Sequence, residues 1–392
     1  MKKRFLRDIA EIQTGPFGSQ LHKEDYVDVG TPIVTVEHLG SRVFSEQNLP
    51  MVSDADKSRL SKYVLKKGDI VFSRVGSVDR CSFVDQKHDG WMFSGRCLRV
   101  RPSEEADPLF LYYFFCLNTT KEFVRSIAVG ATMPSINTKL LGEVEVVCPE
   151  IEEQRKIADI LSKIDDKIEE NQKINENLEQ QAQAIFANEF LSLESLPDGW
   201  KRGSLIDIAD YLNGLAMQKY RPAADEVGIP VLKIKELRQG CCDATSELCS
   251  PNIKTNYIIH DGDVIFSWSG SLLVDFWCGG TCGLNQHLFK VTSSEYDKWF
   301  YYAWTKHHLE RFIAVAADKA TTMGHIKRDE LSKAEVLIPN EADYNRIGSL
   351  LHPIYDLIIT NRIESKKLAE TRDTLLPKLM SGEIDISEVD YE

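Results

Sequence analysis

Most signatures by which a sequence announces an enzyme are missing from these 392 residues. There is no GxxxxGK[ST] loop to cradle nucleotide phosphates and no GxGxxG after a strand. There is no Asn/Asp-Pro-Pro-Tyr/Phe sequence of the kind amino-methyltransferases use to hold a flipped base. GPFGSQ at 15–20 lacks the third glycine and the spacing of a phosphate cradle, so it reads as a loop. His287 and the pair His307–His308 stand without the GxSxG or Cys/His company of a catalytic base. The expectation is a chain with no catalytic residue.

Long apolar runs are missing as well. No stretch approaches the ~18 residues of a membrane span, and no apolar run follows the charges of MKKRFLRDIAEIQTG as a signal peptide requires. The nine cysteines have no disulfide-framework spacing and read as reduced thiols of a cytoplasmic protein. Cys241, Cys242, Cys249, Cys278 and Cys282 come nearest to a metal cluster. They lack the closely spaced ligand pairs that structural zinc favours, so no metal is expected.

Positive charge is in deficit, and its distribution matters more than the total of −13. Residues 1–149 carry a net +1, 150–195 a net −7, 196–339 a net −2 and 340–392 a net −5. The acid is concentrated in two segments, and each near-neutral segment can still turn a basic face toward phosphates.

What is present is an internal repeat of about half the chain. LRDIAEIQTG (6–15) matches LIDIADYLNG (205–214), and TPIVTV (31–36) matches IPVLKI (229–234). GDIVFSRVGS (68–77) matches GDVIFSWSGS (262–271), and FLYYFF (110–115) matches FYYAWT (300–305). GATMPSINTKL, from Gly130, matches KATTMGHIKRDEL, from Lys319. The halves end on VEVVCP (144–149) and AEVLIP (334–339), and the offset drifts from 199 to 190. IVTVEHL, DIVFSRV, DVIFSWS, EVEVVCP and AEVLIP read as short strands. Residues 108–128 read as one amphipathic helix, matched by another over 297–315. Each half is thus expected to be an α+β domain of roughly 150 residues.

After Pro149 the period changes. Ile157, Leu161, Ile164, Ile168, Asn171, Asn175, Leu178, Ala182 and Ile185 alternate at spacings of 4 and 3, a coiled-coil seam. Adding 190 gives Ile347, Leu351, Ile354, Ile358, Asn361, Ser365, Leu368, Arg372 and Leu375, so Asn171 maps onto Asn361. Connectivity makes the two helices an antiparallel spacer, roughly 55 Å long at ~1.5 Å per residue. Pro353 and Pro377 are expected to kink or interrupt the second helix. The organisation is therefore α+β: two pseudo-repeated domains at 1–149 and 196–339, with long antiparallel coiled-coil helices at 150–195 and, with a C-terminal tail, 340–392.

Several phrases resemble the specificity (S) subunit of type I restriction-modification systems. They are residues 152–186, LPDGWKRGSLIDIA (196–209), CGLNQHLFKV (282–291) and RDTLLPKLMSGEI (372–384). Two stretches depart from the repeat. The second helix opens EADYNRIGSLLHPIYDLI without Glu-Gln-Arg, and SGRCLRV (94–100) stands where the second half has LNQHLFK. The resemblance implies a non-catalytic subunit whose two target-recognition domains read the halves of a split site in double-stranded DNA. It implies assembly with two methyltransferase (M) subunits and, for restriction, two translocase-nuclease (R) subunits. S-adenosylmethionine, ATP and magnesium then belong to those partners, and this chain needs no cofactor.

Base reading calls for bidentate donors, Arg for guanine and Asn or Gln for adenine. The candidates in the first domain are Arg74, Ser77, Arg80 and Arg96, and in the second Ser269, Ser271, Asn285, Gln286 and His287. Phosphate contacts are assigned to Thr132, Ser135, Asn137 and Lys139, with counterparts Lys319, Thr322, His325 and Lys327. Differences at these positions predict an asymmetric site. The competing readings are an acidic DNA mimic, a single-chain enzyme and a scaffold that does not bind DNA. A mimic needs acid on its binding surface, an enzyme needs the missing motifs, and a scaffold has no use for Arg-, Gln- and Asn-bearing loops at equivalent places.

Overall fold

The matched β-branched stretches of the repeat become matched buried strands. In the computed structural model, which describes residues 2–16, 20–318 and 328–386, Ile70–Ser73 and Val264–Ser267 are buried at all four positions. The chain divides into two compact units, residues 1–166 with 370–392, and residues 167–369.

In unit 1 a four-stranded antiparallel sheet runs in the order Ala10–Thr14, Cys97–Pro102, Ile70–Ser73, Cys81–Phe83. A second sheet runs Tyr26–Val27, Met51–Val52, Thr31–Val34, Met92–Phe93, and its last pair is parallel. A third pair joins Lys2–Phe5 to Glu145–Cys148.

Unit 2 repeats the plan. Asp210–Asn213, Leu288–Thr292, Val264–Ser267 and Leu273–Phe276 form its first sheet. Leu248–Cys249, Ile229–Leu232, Cys282–Leu284 and Ile258–Ile259 form the second, again with one parallel pair. Lys201–Ser204 pairs with Glu335–Ile338.

The amphipathic helix expected over 108–128 is divided. Asp107 caps Pro108–Cys116 by accepting from the Phe110 N–H, the chain turns at extended Leu117, and Asn118–Ile127 follows. The first piece is buried from Phe110 to Phe115, whereas the second buries only Thr120 and Val124. A break lets the polar piece lay its single apolar face on the core. The counterpart likewise divides at His308 into Lys298–His307 and Leu309–Asp318.

The two heptad segments are helices of 36 and 41 residues, Ile151–Phe186 and Glu341–Ser381. Neither proline interrupts the second. Pro353 and Pro377 are both exposed, so a carbonyl left without its helical donor faces water, which can satisfy it.

Within unit 2 the helices pair antiparallel. Asn171 Nδ2 donates to Glu364 Oε2 (2.7 Å) and Ser365 Oγ (3.3 Å). Asn361 Nδ2 donates to Asn175 Oδ1 (2.9 Å), and Asn175 Nδ2 to the Ile358 carbonyl (3.3 Å). The repeat offset of 190 turns the pair 171–365 into 361–175, so these two layers are one layer used twice. Arg362 ties the pair to the sheet through Glu179 (2.9 Å) and Asp275 (2.6 Å).

Within unit 1 the polar part of the antiparallel contact is ionic. Arg372 Nη1 donates to Asp165 Oδ1 (2.6 Å), and the Tyr113 hydroxyl donates to Oδ2 (2.7 Å). Asp165 is only 6% exposed. Burial first, then the facing Asp165 carboxylate, raises the Tyr113 hydroxyl well above its usual range, so it stays a donor. Arg372→Met should leave this carboxylate short of a partner and cost about 3 kcal/mol. Urea denaturation of the full chain checks it: the double variant Asp165→Asn/Arg372→Met should recover most of the loss.

Candidate nucleic-acid interface

In each unit, several loops converge at one end of the two central strands of the first sheet, its loop edge. In unit 1 the turn after Ile70–Ser73 meets the loop 129–136. Val75 bridges Ser135, the Gly76 N–H donates to the Pro134 carbonyl (2.8 Å) and the Ile136 N–H to the Arg74 carbonyl (2.9 Å). Gly76 has φ +76°, a left-handed value that glycine adopts without strain. The Arg74 N–H donates to the Arg96 carbonyl (2.8 Å), and the Arg74 guanidinium to the Gly95 carbonyl (3.1 Å). Arg74, Ser77, Arg96, Thr132 and Ser135 therefore share one loop cluster.

Arg96 differs in its ion pairing from several other arginines in the unit. Arg4, Arg7, Arg59, Arg99, Arg101 and Arg125 all pair with carboxylates. Arg96 is exposed and, among the described residues, its guanidinium pairs with none. Arg80 is exposed, and its guanidinium donates to the Leu39 carbonyl. Asn137 Oδ1 caps the helix Thr138–Gly142 by accepting from the Leu140 N–H (2.9 Å), which engages its oxygen in folding. Lys139 on that helix is exposed.

In unit 2 the equivalent edge carries different chemistry. Ser269 Oγ lies 3.1 Å from His287 Nδ1, and Gln286 Nε2 lies 3.4 Å from His287 Nε2. Asn285 is buried, and its Oδ1 accepts from the His287 N–H (3.3 Å). Ser271 is exposed and is approached by Arg238 Nη1 (3.4 Å). Lys319, Thr322, His325 and Lys327 lie outside the described residues.

The strand registers correct the sequence matching by one residue. Val34 pairs with Phe93 and Leu232 with Leu284, while Ser73 pairs with Cys97 and Ser267 with Leu288. SGRCLRV (94–100) thus superposes on NQHLFKV (285–291), not on LNQHLFK. Arg96 falls at the place of His287, and Gly95 at that of Gln286. Residue likeness aligns the two stretches one residue off, because backbone pairing sets the register.

One residue of this edge was missed. Trp268 replaces Arg74 in GDVIFSW, and its indole donates to Asn213 Oδ1 (3.0 Å). The repeat itself was the available signal, since an arginine-to-tryptophan difference at a loop marks altered contact chemistry. The other histidines lie elsewhere. His308 is buried against Trp304 and Phe312, with Nε2 on the Glu335 carbonyl (2.8 Å). Burial lowers its pKa, as expected for a neutral core imidazole.

Among the described residues, no group of His, Cys, Asp and Glu is placed to hold a metal, and no helix is long and apolar enough to cross a membrane. Cys282 is paired with Cys242, and that hydrogen bond together with burial holds its thiol far above the usual range.

A family model described as the type I restriction modification DNA specificity domain matches residues 1–180 and 197–370. The chain is similar to the MjaIX specificity subunit of Methanocaldococcus jannaschii, 26% identical over 98% of this chain and 93% of that protein. It is also similar to the HindI specificity subunit of Haemophilus influenzae, 23% identical over 83% of this chain and 88% of that one. A crystal structure of a type I S subunit from M. genitalium shares the fold, with a TM-score of 0.59 at 16% identity over 96% of this chain and 95% of that one.

The approach of backbone to backbone at this edge is as close in one unit as in the other. A Cβ on Gly15 would lie 2.2 Å from the Ser94 carbonyl oxygen, and one on Gly214 would lie 2.2 Å from that of Asn285. Backbone cannot yield as a side chain can. Gly15→Ala and Gly214→Ala should therefore each cost about 1–3 kcal/mol by overpacking. Denaturant midpoints of the two variants check this; an unchanged midpoint for either would contradict the close approach.

Proposed function

The chain belongs to the type I restriction-modification DNA specificity family, and on that basis we propose that it selects the DNA sequence on which a multisubunit methyltransferase and nuclease acts. Each half, residues 1–149 and 196–339, contacts one part of a split site, and the long helices at 150–195 and 340–392 hold the gap and dock two methyltransferase subunits. Two translocase-nuclease subunits join for restriction, and S-adenosylmethionine, ATP and magnesium serve those partners in the cytoplasm.

One observation carries this reading: equivalent loop edges of one repeated fold bear different polar groups, Arg74 and Arg96 in one and Trp268, Gln286 and His287 in the other. A duplicated scaffold has no need of that difference, whereas a reader of an asymmetric site does. Phosphate contact falls to the flanking loops, with Thr132, Ser135 and Lys139 in the first unit. Acid concentrated in the helix segments leaves both edges open to a polyanion.

The experiment is methylome sequencing of the source cell with and without the gene. One split adenine-methylation signal should vanish on deletion; an unchanged methylome would overturn the proposal. The chain purified alone should show neither methylation nor cleavage with any of the three cofactors, and turnover would contradict its non-catalytic role. In the assembled complex, Lys139→Ala should weaken all sequences alike and flatten the slope of log K against log salt by about 0.9. Titrations at several salt concentrations measure it.

A further inference from the structure

The turn after the parallel strand pair is held differently in the two units, and the difference has a direction. In unit 2, Gln286 Nε2 lies 3.4 Å from His287 Nε2, and His287 Nδ1 lies 3.1 Å from Ser269 Oγ. Ser269 is 5% exposed, which anchors the far end of this chain of hydrogen bonds. One N–H of the Gln286 amide is thereby turned inward at 3.4 Å. Its second N–H and its carbonyl oxygen make no other hydrogen bond among the described residues, and they form the donor–acceptor fork that matches adenine N7 and N6 in the major groove.

In unit 1 the same backbone carries Gly95 and Arg96 instead. No side chain stands between Arg96 and solvent, and its fork of donors fits guanine O6 and N7. The two turns are seated alike, because a Cβ added to Gly15 or to Gly214 would meet the carbonyl oxygen of Ser94 or of Asn285 at the same 2.2 Å.

We propose that the turn Asn285–His287 reads adenine through Gln286, with His287 as its positioning residue, and that the equivalent turn Ser94–Arg96 reads guanine through Arg96. This rests on the function proposed above and adds the base chemistry of each half-site.

The test isolates the complex from its own cell through a tag on the full chain and selects bound sequences from a randomised duplex pool. The wild type should enrich a split sequence with a required adenine in one half and a required guanine in the other. Gln286→Glu should exchange that adenine for cytosine, because a carboxylate accepts from cytosine N4. Gln286→Ala should lose roughly 5- to 150-fold discrimination at that base pair alone. His287→Ala should weaken the same base pair while leaving the rest of the sequence intact. His287→Asn, which keeps a donor and an acceptor, should restore part of the loss; a merely structural histidine would instead blur every position. Arg96→Ala should relax the guanine in the other half only. An unaltered adenine preference in Gln286→Glu overturns the assignment while leaving the proposed function standing. A wild-type complex that enriches no sequence overturns both.

Discussion

Two buried polar layers in the helix pair, Asn171 with Ser365 and Asn361 with Asn175, set a constraint on which the rest of the second unit depends. A seam of aliphatic residues alone could slide by a heptad at little cost, because one leucine packs much like another. An asparagine cannot, since a displaced amide loses its partner in a place water does not reach. Asn171, at 1% exposure, therefore fixes the axial position of the helices as well as their pairing. From that fixed register follow the positions of Glu179 and Arg362, and through Asp275 the edge of the sheet.

The first unit reaches the same end with charge. Asp165 faces Arg372 and Tyr113 instead of an amide, and Arg42 reaches the neighbouring Asp166 and the Ser162 carbonyl. Charge pairs are costly to bury and costlier to break. One repeated architecture is thus held by two chemistries. The loop edges diverge in the same way, on a backbone where Gly15 and Gly214 face equivalent carbonyls. Scaffold and contact surface vary separately, as a protein that must keep its geometry while changing what it recognises requires.

Much of this was legible in the sequence, for reasons that can be named. The duplication showed through GDIVFSR and GDVIFSW because both strands are buried on every side and tolerate few residue types. The heptads showed because the seam positions are buried or half-buried along both helices. Three features did not show. The break at Leu117 depends on the burial of two successive faces, which no single period encodes. The uninterrupted course through Pro353 depends on which side of the helix meets water. The one-residue register of the 94–100 stretch depends on pairing with strands far away in the chain. Among the candidate residues, Arg74 and Arg96 lie together, Arg80 also donates to the Leu39 carbonyl, and Asn137 also caps a helix.

We propose that the long helices measure the gap between two readers. The most direct test lengthens one of them and asks what is then methylated. Four residues inserted into the first long helix after Asn171 add ~6 Å. Methylome sequencing of cells carrying only that form should then find both half-sites retained and the number of base pairs between them changed. The same two half-sites at the original spacing, methylated to the original extent, would contradict it.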